Sequence, residues 1–167
     1  MIYKIERDGY KFKELDLEIS DIIDSFPEDI DYVAAHEFCE HNISLSSTWT
    51  LQKTGFSDIE GNENLIPDIS VWIDSTLLLS PKAKRFLGET LSEYGEFLPI
   101  LIEEEKYEIF NCLTLGDTKN SDDLVFKTKD SNCSILYCQE RLKDLIEELD
   151  LHGVALTNIN CSRSDLT

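Results

Sequence analysis

Residues 34–41, AAHEFCEH, place two histidines, one cysteine and two glutamates within eight positions. Imidazole, thiolate and carboxylate groups are the protein ligands of zinc, so this segment is the first candidate for a catalytic centre. Zinc proteases hold their ion with histidines four residues apart, because that spacing puts both imidazoles on one helix face. His36 and His41 are five residues apart, which separates them by about 140° around a helix axis. They therefore cannot bind one ion from a regular helix.

A second arrangement would pair His36 with Cys39, three residues further along the chain. Those two side chains would lie along one side of a helix, and a third ligand would have to come from His152 or from another residue type. Two ligands do not make a catalytic metal site. We therefore expect no metal and no cofactor. The other polar side chains of this segment are expected to be exposed: Glu37, Glu40 and His41.

The other catalytic patterns in the chain are incomplete. GFSDI, at 55–59, begins like a nucleophile elbow, but Ile59 stands where the sharp turn requires glycine. DTKNSDD, at 117–123, has the acids of a calcium loop, but Lys119 occupies a ligand position and the sixth-position glycine is missing. Adjacent carboxylates at 103–105 lie in turn-like sequence, where strong pKa shifts are not expected. We therefore expect no catalytic residue and a protein that is not an enzyme.

Charge is the strongest signal in the composition. The chain has 34 acidic and 15 basic residues, a formal net charge of -19. Residues 14–81 contain fifteen acids and one base, Lys53, and residues 14–52 contain no lysine or arginine. Such a field repels nucleic acid and anionic membranes, and it accelerates association with a basic protein. A solvated surface that keeps the protein in solution is the simpler explanation of the same charge.

Length and composition favour one domain over residues 1–167, since 167 residues with 41% hydrophobic side chains suffice for one core. An acidic N-terminal half, 1–65, precedes a more regular half, 66–167. No apolar run is long enough for a membrane helix, and the first residues lack a signal peptide, so we expect a cytoplasmic protein. Five scattered cysteines without a C-x-x-C pair predict reduced, mostly buried thiols.

The hydrophobic pattern predicts an α+β fold with a mixed or antiparallel sheet. Two main helices are expected at about 81–94, where Ser80 and Pro81 form a start signal, and at about 138–150. A shorter N-terminal helix is expected at 29–41, with Asp29 or Asp31 at its start. The expected strands lie at 2–5, 15–19, 47–52, 97–102, 107–113, 124–127, 134–137 and 154–159, with a hairpin turn at 103–106 and a surface loop at 57–68.

From residue 66 onward the order of sequence features follows a known pattern. The successive segments are IPDISVW, LLLSPKAKRFLGETL, YGEFLPILI, YEIFNCLTLGD and YCQERLKDLIEELDLHGVALTNI. This succession resembles the bacterial immunity-protein family numbered eleven among polymorphic toxin systems, formerly a domain of unknown function. The matching residues are Leu78 to Ala83, Leu87, Glu96 to Pro99, Tyr107, Asn111, Leu113, Glu140 to Lys143, Leu151 and Gly153 to Leu156.

The resemblance implies a small α+β protein that is made beside a toxin and blocks that toxin by binding it, with no reaction and no cofactor. The partner would be the cognate toxin, with a basic surface that suits a nuclease. Nucleic acid and membranes are not expected partners. The acids upstream of the matching region would form the partner-binding residues: Asp21, Asp24, Glu28, Asp29, Asp31, Glu37 and Glu40.

Two other functions remain open from the sequence. One is an acidic mimic of nucleic acid that inhibits a DNA-binding protein, and the other is a small metal-dependent hydrolase built around His36 and Cys39. Tyr32, Trp49 and Trp72 could anchor a protein interface, because large aromatic residues dominate binding hot spots. Core packing is the preferred role for all three.

Overall fold

The computed structural model describes residues 1–9, 11–59 and 65–160. The strands are β1 (Ile2–Arg7), β2 (Glu14–Leu15), β3 (Gln52–Thr54), β4 (Phe56–Ser57), β5 (Ile69–Val71), β6 (Thr76–Leu79), β7 (Gly95–Ile102), β8 (Glu105–Cys112), β9 (Val125–Lys127), β10 (Leu136–Gln139) and β11 (Val154–Asn158). The helices are α1 (Ile19–Ile23), α2 (Tyr32–His36), α3 (Pro81–Leu91) and α4 (Glu140–Glu148), with a 3-10 turn at Lys129–Ser131. The fold is α+β, as predicted.

A five-stranded sheet in the order β3-β7-β8-β6-β5 forms the centre of the molecule. Its pairs are antiparallel except for β3 with β7, which run parallel. All four residues of β6 are buried. Side chains of one strand point alternately to the two faces of the sheet, so the buried residues of β6 lie on both faces. Leu77 and Leu79 pack into one core cluster and Leu78 into another. Both faces of this sheet must therefore be covered.

Helices and a second sheet cover the first face. The second sheet is four-stranded and antiparallel, in the order β11-β1-β10-β9. Its Ile5 and Leu136 share a core cluster with Leu87 of α3 and Ile146 of α4. Ser80 begins α3, because its hydroxyl accepts a hydrogen bond from the Ala83 amide at 3.2 Å.

Residues 15–46 cover the second face, and we call them the covering segment. Their buried apolar side chains are Leu17, Ile22, Ile23, Phe26, Ala35, Phe38, Cys39 and Leu45. These residues form one cluster with Leu98, Ile100 and Ile109 of the hairpin β7–β8. The acidic half of the chain therefore supplies one wall of the core.

The strand predicted at 15–19 is wrong beyond its first residue. Only Leu15 lies in a strand, β2, which pairs with β4 in a small separate sheet. Helix α1 starts at Ile19 because Glu18 and Asp21 form a capping box, in which the Asp21 carboxylate accepts the Glu18 amide at 3.2 Å. The helix then buries the adjacent Ile22 and Ile23.

Other element boundaries also differ from the prediction. The strand expected at 47–52 begins only at Gln52, and β5 and β6 were not predicted. Gly95 does not end α3; it opens β7 where a Cβ atom would collide with the Asn111 carbonyl oxygen. Part of the loop expected at 57–68, residues 60–64, lies outside the described residues, as does Cys161. The other four cysteines are buried free thiols.

Each helix within the described residues is too short or too polar to cross a lipid bilayer.

The β7–β8 hairpin turn has an unfavourable sequence for its conformation. Ile102 pairs with Glu105, so Glu103 and Glu104 alone form the turn, with φ of 50° and 69°. Two central residues at positive φ define a type I′ turn, for which Asn-Gly is preferred.

We therefore expect the double change Glu103→Asn and Glu104→Gly to raise the free energy of unfolding by about 1 kcal/mol, measured by urea denaturation. The control Glu103→Gln and Glu104→Gln removes the same charges and keeps the strained backbone. An equal gain in both variants would mean that charge, and not backbone conformation, limits stability at this turn.

Candidate partner-binding face

The histidines and the cysteine of residues 34–41 lie in different environments. Cys39 is 1% exposed and its thiol lies 3.9 Å from the Ile73 carbonyl oxygen, whereas His36 is exposed. Burial raises the pKa of the Cys39 thiol. The prediction that His36 and Cys39 lie along one side of a helix is wrong, because α2 ends at His36 and the following turns direct Cys39 into the core. These two side chains do not converge on one ion.

Glu37, Glu40 and His41 are all exposed, as predicted, and their ligand atoms lie within 4.8 Å of one another. His41 Nε2 lies 3.0 Å from Glu37 Oε2. Water reaches all three groups, so this arrangement is a surface pair of imidazole and carboxylate with a second carboxylate beside it.

The seven predicted partner-binding residues lie on the outer side of the covering segment, and all seven are exposed. We call them the acidic face: Asp21, Asp24, Glu28, Asp29, Asp31, Glu37 and Glu40. The apolar residues between them, including Ile22, Ile23 and Phe38, are buried. Within the residues described here, none of the seven forms an ion pair with a lysine or arginine.

Two of these acids also stabilise the two short helices. Asp31 is the N-cap of α2, and its carboxylate accepts the Val33 and Ala34 amides at 3.1 and 3.2 Å. Asp21 is the third residue of α1, and in the capping box its carboxylate accepts the amide of Glu18, the N-cap residue. Carboxylates are favourable at these positions because the helix N-terminus carries partial positive charge. Helix capping therefore accounts for two of the seven acids and leaves the excess of negative charge unexplained.

A further carboxylate, that of Asp74 in the turn between β5 and β6, lies near this face. Burial raises the pKa of the Asp74 carboxyl, and the nearby charge of Glu40 raises it further, against an opposing effect of Lys127. The carboxylates of Glu40 and Asp74 therefore act on each other as like charges.

The three aromatic residues considered as anchors have different surroundings. Trp72 is 5% exposed and donates through Nε1 to the Leu17 carbonyl oxygen at 2.8 Å. Trp49 is half-buried and donates to the Pro99 carbonyl oxygen at 2.9 Å. Core packing is thus confirmed for Trp72. It is wrong for Tyr32, which begins α2 and is 50% exposed within the acidic face.

Three side chains of the second half bind the covering segment, and we call them the polar clamp: Glu96, Asn111 and Lys127. Lys127 is fully buried and donates through Nζ to the Cys39 carbonyl oxygen at 2.7 Å. Asn111 is also fully buried and donates to the Ile43 carbonyl oxygen at 3.0 Å. These contacts hold the backbone that follows α2. This role of Lys127 could not be predicted from the sequence, because a lysine at a strand end is ordinarily exposed.

Glu96 makes the densest set of contacts in the polar clamp. Its Oε1 accepts the Leu45 amide at 2.6 Å and Asn111 Nδ2 at 2.9 Å, and its Oε2 accepts the Ser44 hydroxyl at 2.6 Å and the Ser46 amide at 3.3 Å. Partial burial by itself would raise the pKa of this carboxyl, but the hydrogen bonds outweigh burial and lower it. The ionised carboxylate is therefore the form that the fold binds.

A scan against protein-family models and a search of curated proteins found no match to this chain.

The polar clamp predicts a pH-dependent contribution to stability. The pKa of the Glu96 carboxyl is lowered in the folded state. Its contribution to stability is therefore complete above the unfolded-state pKa of about 4.3, and it is lost as the pH falls through the folded-state pKa. With half-exposure taken into account, we expect Glu96→Gln to lower the free energy of unfolding at pH 7 by about 1–2 kcal/mol.

Urea denaturation of wild type and variant at pH 7 and at pH 3 measures this difference, with Glu93→Gln, at an exposed position, as the control. The difference in free energy of unfolding between Glu96→Gln and wild type should be smaller at pH 3 than at pH 7. A difference in free energy of unfolding of the same size at pH 7 and pH 3 would exclude the ionised carboxylate as its cause.

Proposed function

We propose that this protein is an immunity protein, an antitoxin that binds and neutralises a cognate bacterial toxin in the cytoplasm of the producing cell. It acts by covering a surface of the toxin and performs no reaction, so it needs no catalytic residue and no cofactor. Its partner is a toxin with a basic surface, as expected for an enzyme that must attract phosphate. The role belongs to competition between bacteria.

The acidic face is the observation that carries this proposal. Its seven carboxylates are exposed and, among the described residues, have no lysine or arginine in ion-pair contact. Charges of one sign on one surface cost stability through mutual repulsion, and a partner of opposite sign would remove that cost. Complementary fields also steer two proteins together and raise the association rate.

The resemblance to the immunity-protein family supports the same role from the other half of the chain. Its matching positions include buried residues of the central sheet and its helices, such as Leu78, Leu87, Leu98 and Leu142. Such positions define a scaffold, whereas the acidic face lies upstream of them. A shared scaffold with a separate binding surface would suit proteins that each neutralise a different toxin.

The alternative roles draw less support from the site. A mimic of nucleic acid would use the same carboxylates, but the resemblance supplies no reason for that partner. A hydrolase built on His36 and Cys39 would require two side chains that lie apart, one exposed and one in the core.

Co-expression tests the function itself. We expect the product of the adjacent gene to stop growth when expressed alone, and this protein to restore growth and to co-purify with that product in a stable complex. A variant with a disrupted core, Leu78→Asp, serves as the negative control because Leu78 is 2% exposed. A toxic neighbour that this protein neither binds nor neutralises would contradict the proposal.

Neutralising part of the acidic face tests the surface. We expect the combined changes Asp21→Asn, Asp24→Asn, Glu28→Gln, Asp29→Asn and Asp31→Asn to slow association with the toxin by about tenfold or more at low salt. Asparagine still caps helices, so α1 and α2 should remain folded. Stopped-flow association at several salt concentrations should give a flatter salt dependence for the variant.

The matched control changes the same number of charges elsewhere, at exposed positions away from the acidic face. Its substitutions are Glu89→Gln, Glu93→Gln, Glu103→Gln, Glu104→Gln and Glu148→Gln. Equal slowing in both variants would show that net charge alone governs the rate and that the acidic face is not the docking surface.

A further inference from the structure

Helix α2 presents two apolar side chains outward in the middle of the acidic face. Tyr32 is 50% exposed and Val33 is 66% exposed, whereas Ala35 on the inner side of the same helix is 3% exposed. The inner side of α2 thus packs on the core, and no element among the described residues covers its outer side. Carboxylates adjoin this outer side at both ends, with Asp31 before Tyr32 and Glu37 after His36.

Local contacts hold the Tyr32 ring in one position. Its hydroxyl donates to Asp24 Oδ1 at 3.3 Å, and its ring lies 6.3 Å from the His36 ring, measured between centroids. A side chain that is already held loses little conformational entropy when a partner covers it. Tyrosine is also among the residue types that contribute most to binding energy at protein interfaces.

Charge restricts what could cover this surface. A second copy of the chain would bring two acidic faces together, and each chain carries a net charge of -19. Nucleic acid and anionic lipid are repelled by the same field. A basic protein surface is the occupant whose charge complements the carboxylates around Tyr32 and Val33.

We propose that Tyr32 and Val33 form the apolar anchor of the toxin-binding face and enter an apolar depression that is ringed by lysine or arginine on the toxin. This inference rests on the proposed immunity function and adds the chemistry of the partner's surface. The acidic face governs how fast the complex forms, and the anchor governs how long it lasts. An arginine of the partner stacked on the Tyr32 ring would combine both kinds of contact.

Phe86 provides a matched control for the anchor. It is an exposed aromatic residue of similar accessibility, at 44%, and it lies on α3, outside the covering segment. The Arg85 guanidinium of the same chain already lies over its ring, 4.9 Å from the centroid. Truncating Phe86 therefore removes an exposed aromatic ring without touching the acidic face.

The experiment uses the full chain and, as probe, the purified toxin domain encoded by the adjacent gene. Surface plasmon resonance at fixed salt compares wild type with the double variant Tyr32→Ala/Val33→Ser and with Phe86→Ala. We expect the double variant to dissociate at least about tenfold faster, with an association rate within about twofold of wild type. Phe86→Ala should change neither rate.

A second measurement guards against misfolding of the double variant. A photo-reactive benzoylphenylalanine at position 33 should cross-link to the toxin domain, and the same group at position 86 should not. If the double variant dissociates at the wild-type rate, or if both positions cross-link equally, the proposed anchor is overturned. The immunity function stands in that case, provided that the wild type binds the toxin domain. Failure of the wild type to bind the toxin domain overturns the proposed function and this inference together.

Discussion

The five-stranded sheet is apolar on both faces, and this constraint shapes the rest of the molecule. Leu77 and Leu79 require cover on one side, and Leu78 and Ile109 require it on the other. The first side receives the two long helices and the second sheet. The second side receives the covering segment, whose two helices, Ile19–Ile23 and Tyr32–His36, are too short to be stable alone. They persist because they bury Ile22, Ile23 and Ala35 against the sheet.

The polar clamp adds hydrogen bonds to the apolar packing at the end of that segment. Glu96, Asn111 and Lys127 bind backbone groups between Cys39 and Ser46, and these hydrogen bonds would be lost if the segment moved away. Burying the ammonium group of Lys127 is costly, and its hydrogen bond to the Cys39 carbonyl oxygen offsets part of that cost. The clamp thus attaches the end of an acidic, weakly helical segment to the central sheet and to β9, which would favour preorganisation of the binding face that we propose.

The sequence predicted the elements that carry strong local signals. Ser80 and Pro81 located the start of the third helix, and the strand-like runs at 97–102 and 107–113 located the hairpin, which in the structure begins earlier, at Gly95. The strand predicted at 15–19 was wrong because alternating apolar residues are typical of a strand. The capping box of Glu18 and Asp21 and the burial of two adjacent isoleucines favour a helix instead. The exposure of the acidic face was predictable because carboxylates without bases seldom enter a core. The exposure of Tyr32 was not, since an aromatic residue carries no local mark of the side on which it lies.

The charge on the acidic face affects the stability of the free protein and, in the function that we propose, its binding. Seven carboxylates on one side of a segment repel one another, and capping by Asp21 and Asp31 recovers only a small part of that free energy. Core packing and the polar clamp offset the remaining repulsive free energy. The free protein therefore holds its like charges together against their repulsion. A basic surface that docked on α2 would release this repulsion and would bury Tyr32 and Val33 in the same step. The affinity of such a complex would therefore exceed what its buried area alone supplies, because part of it comes from strain already present in the free protein.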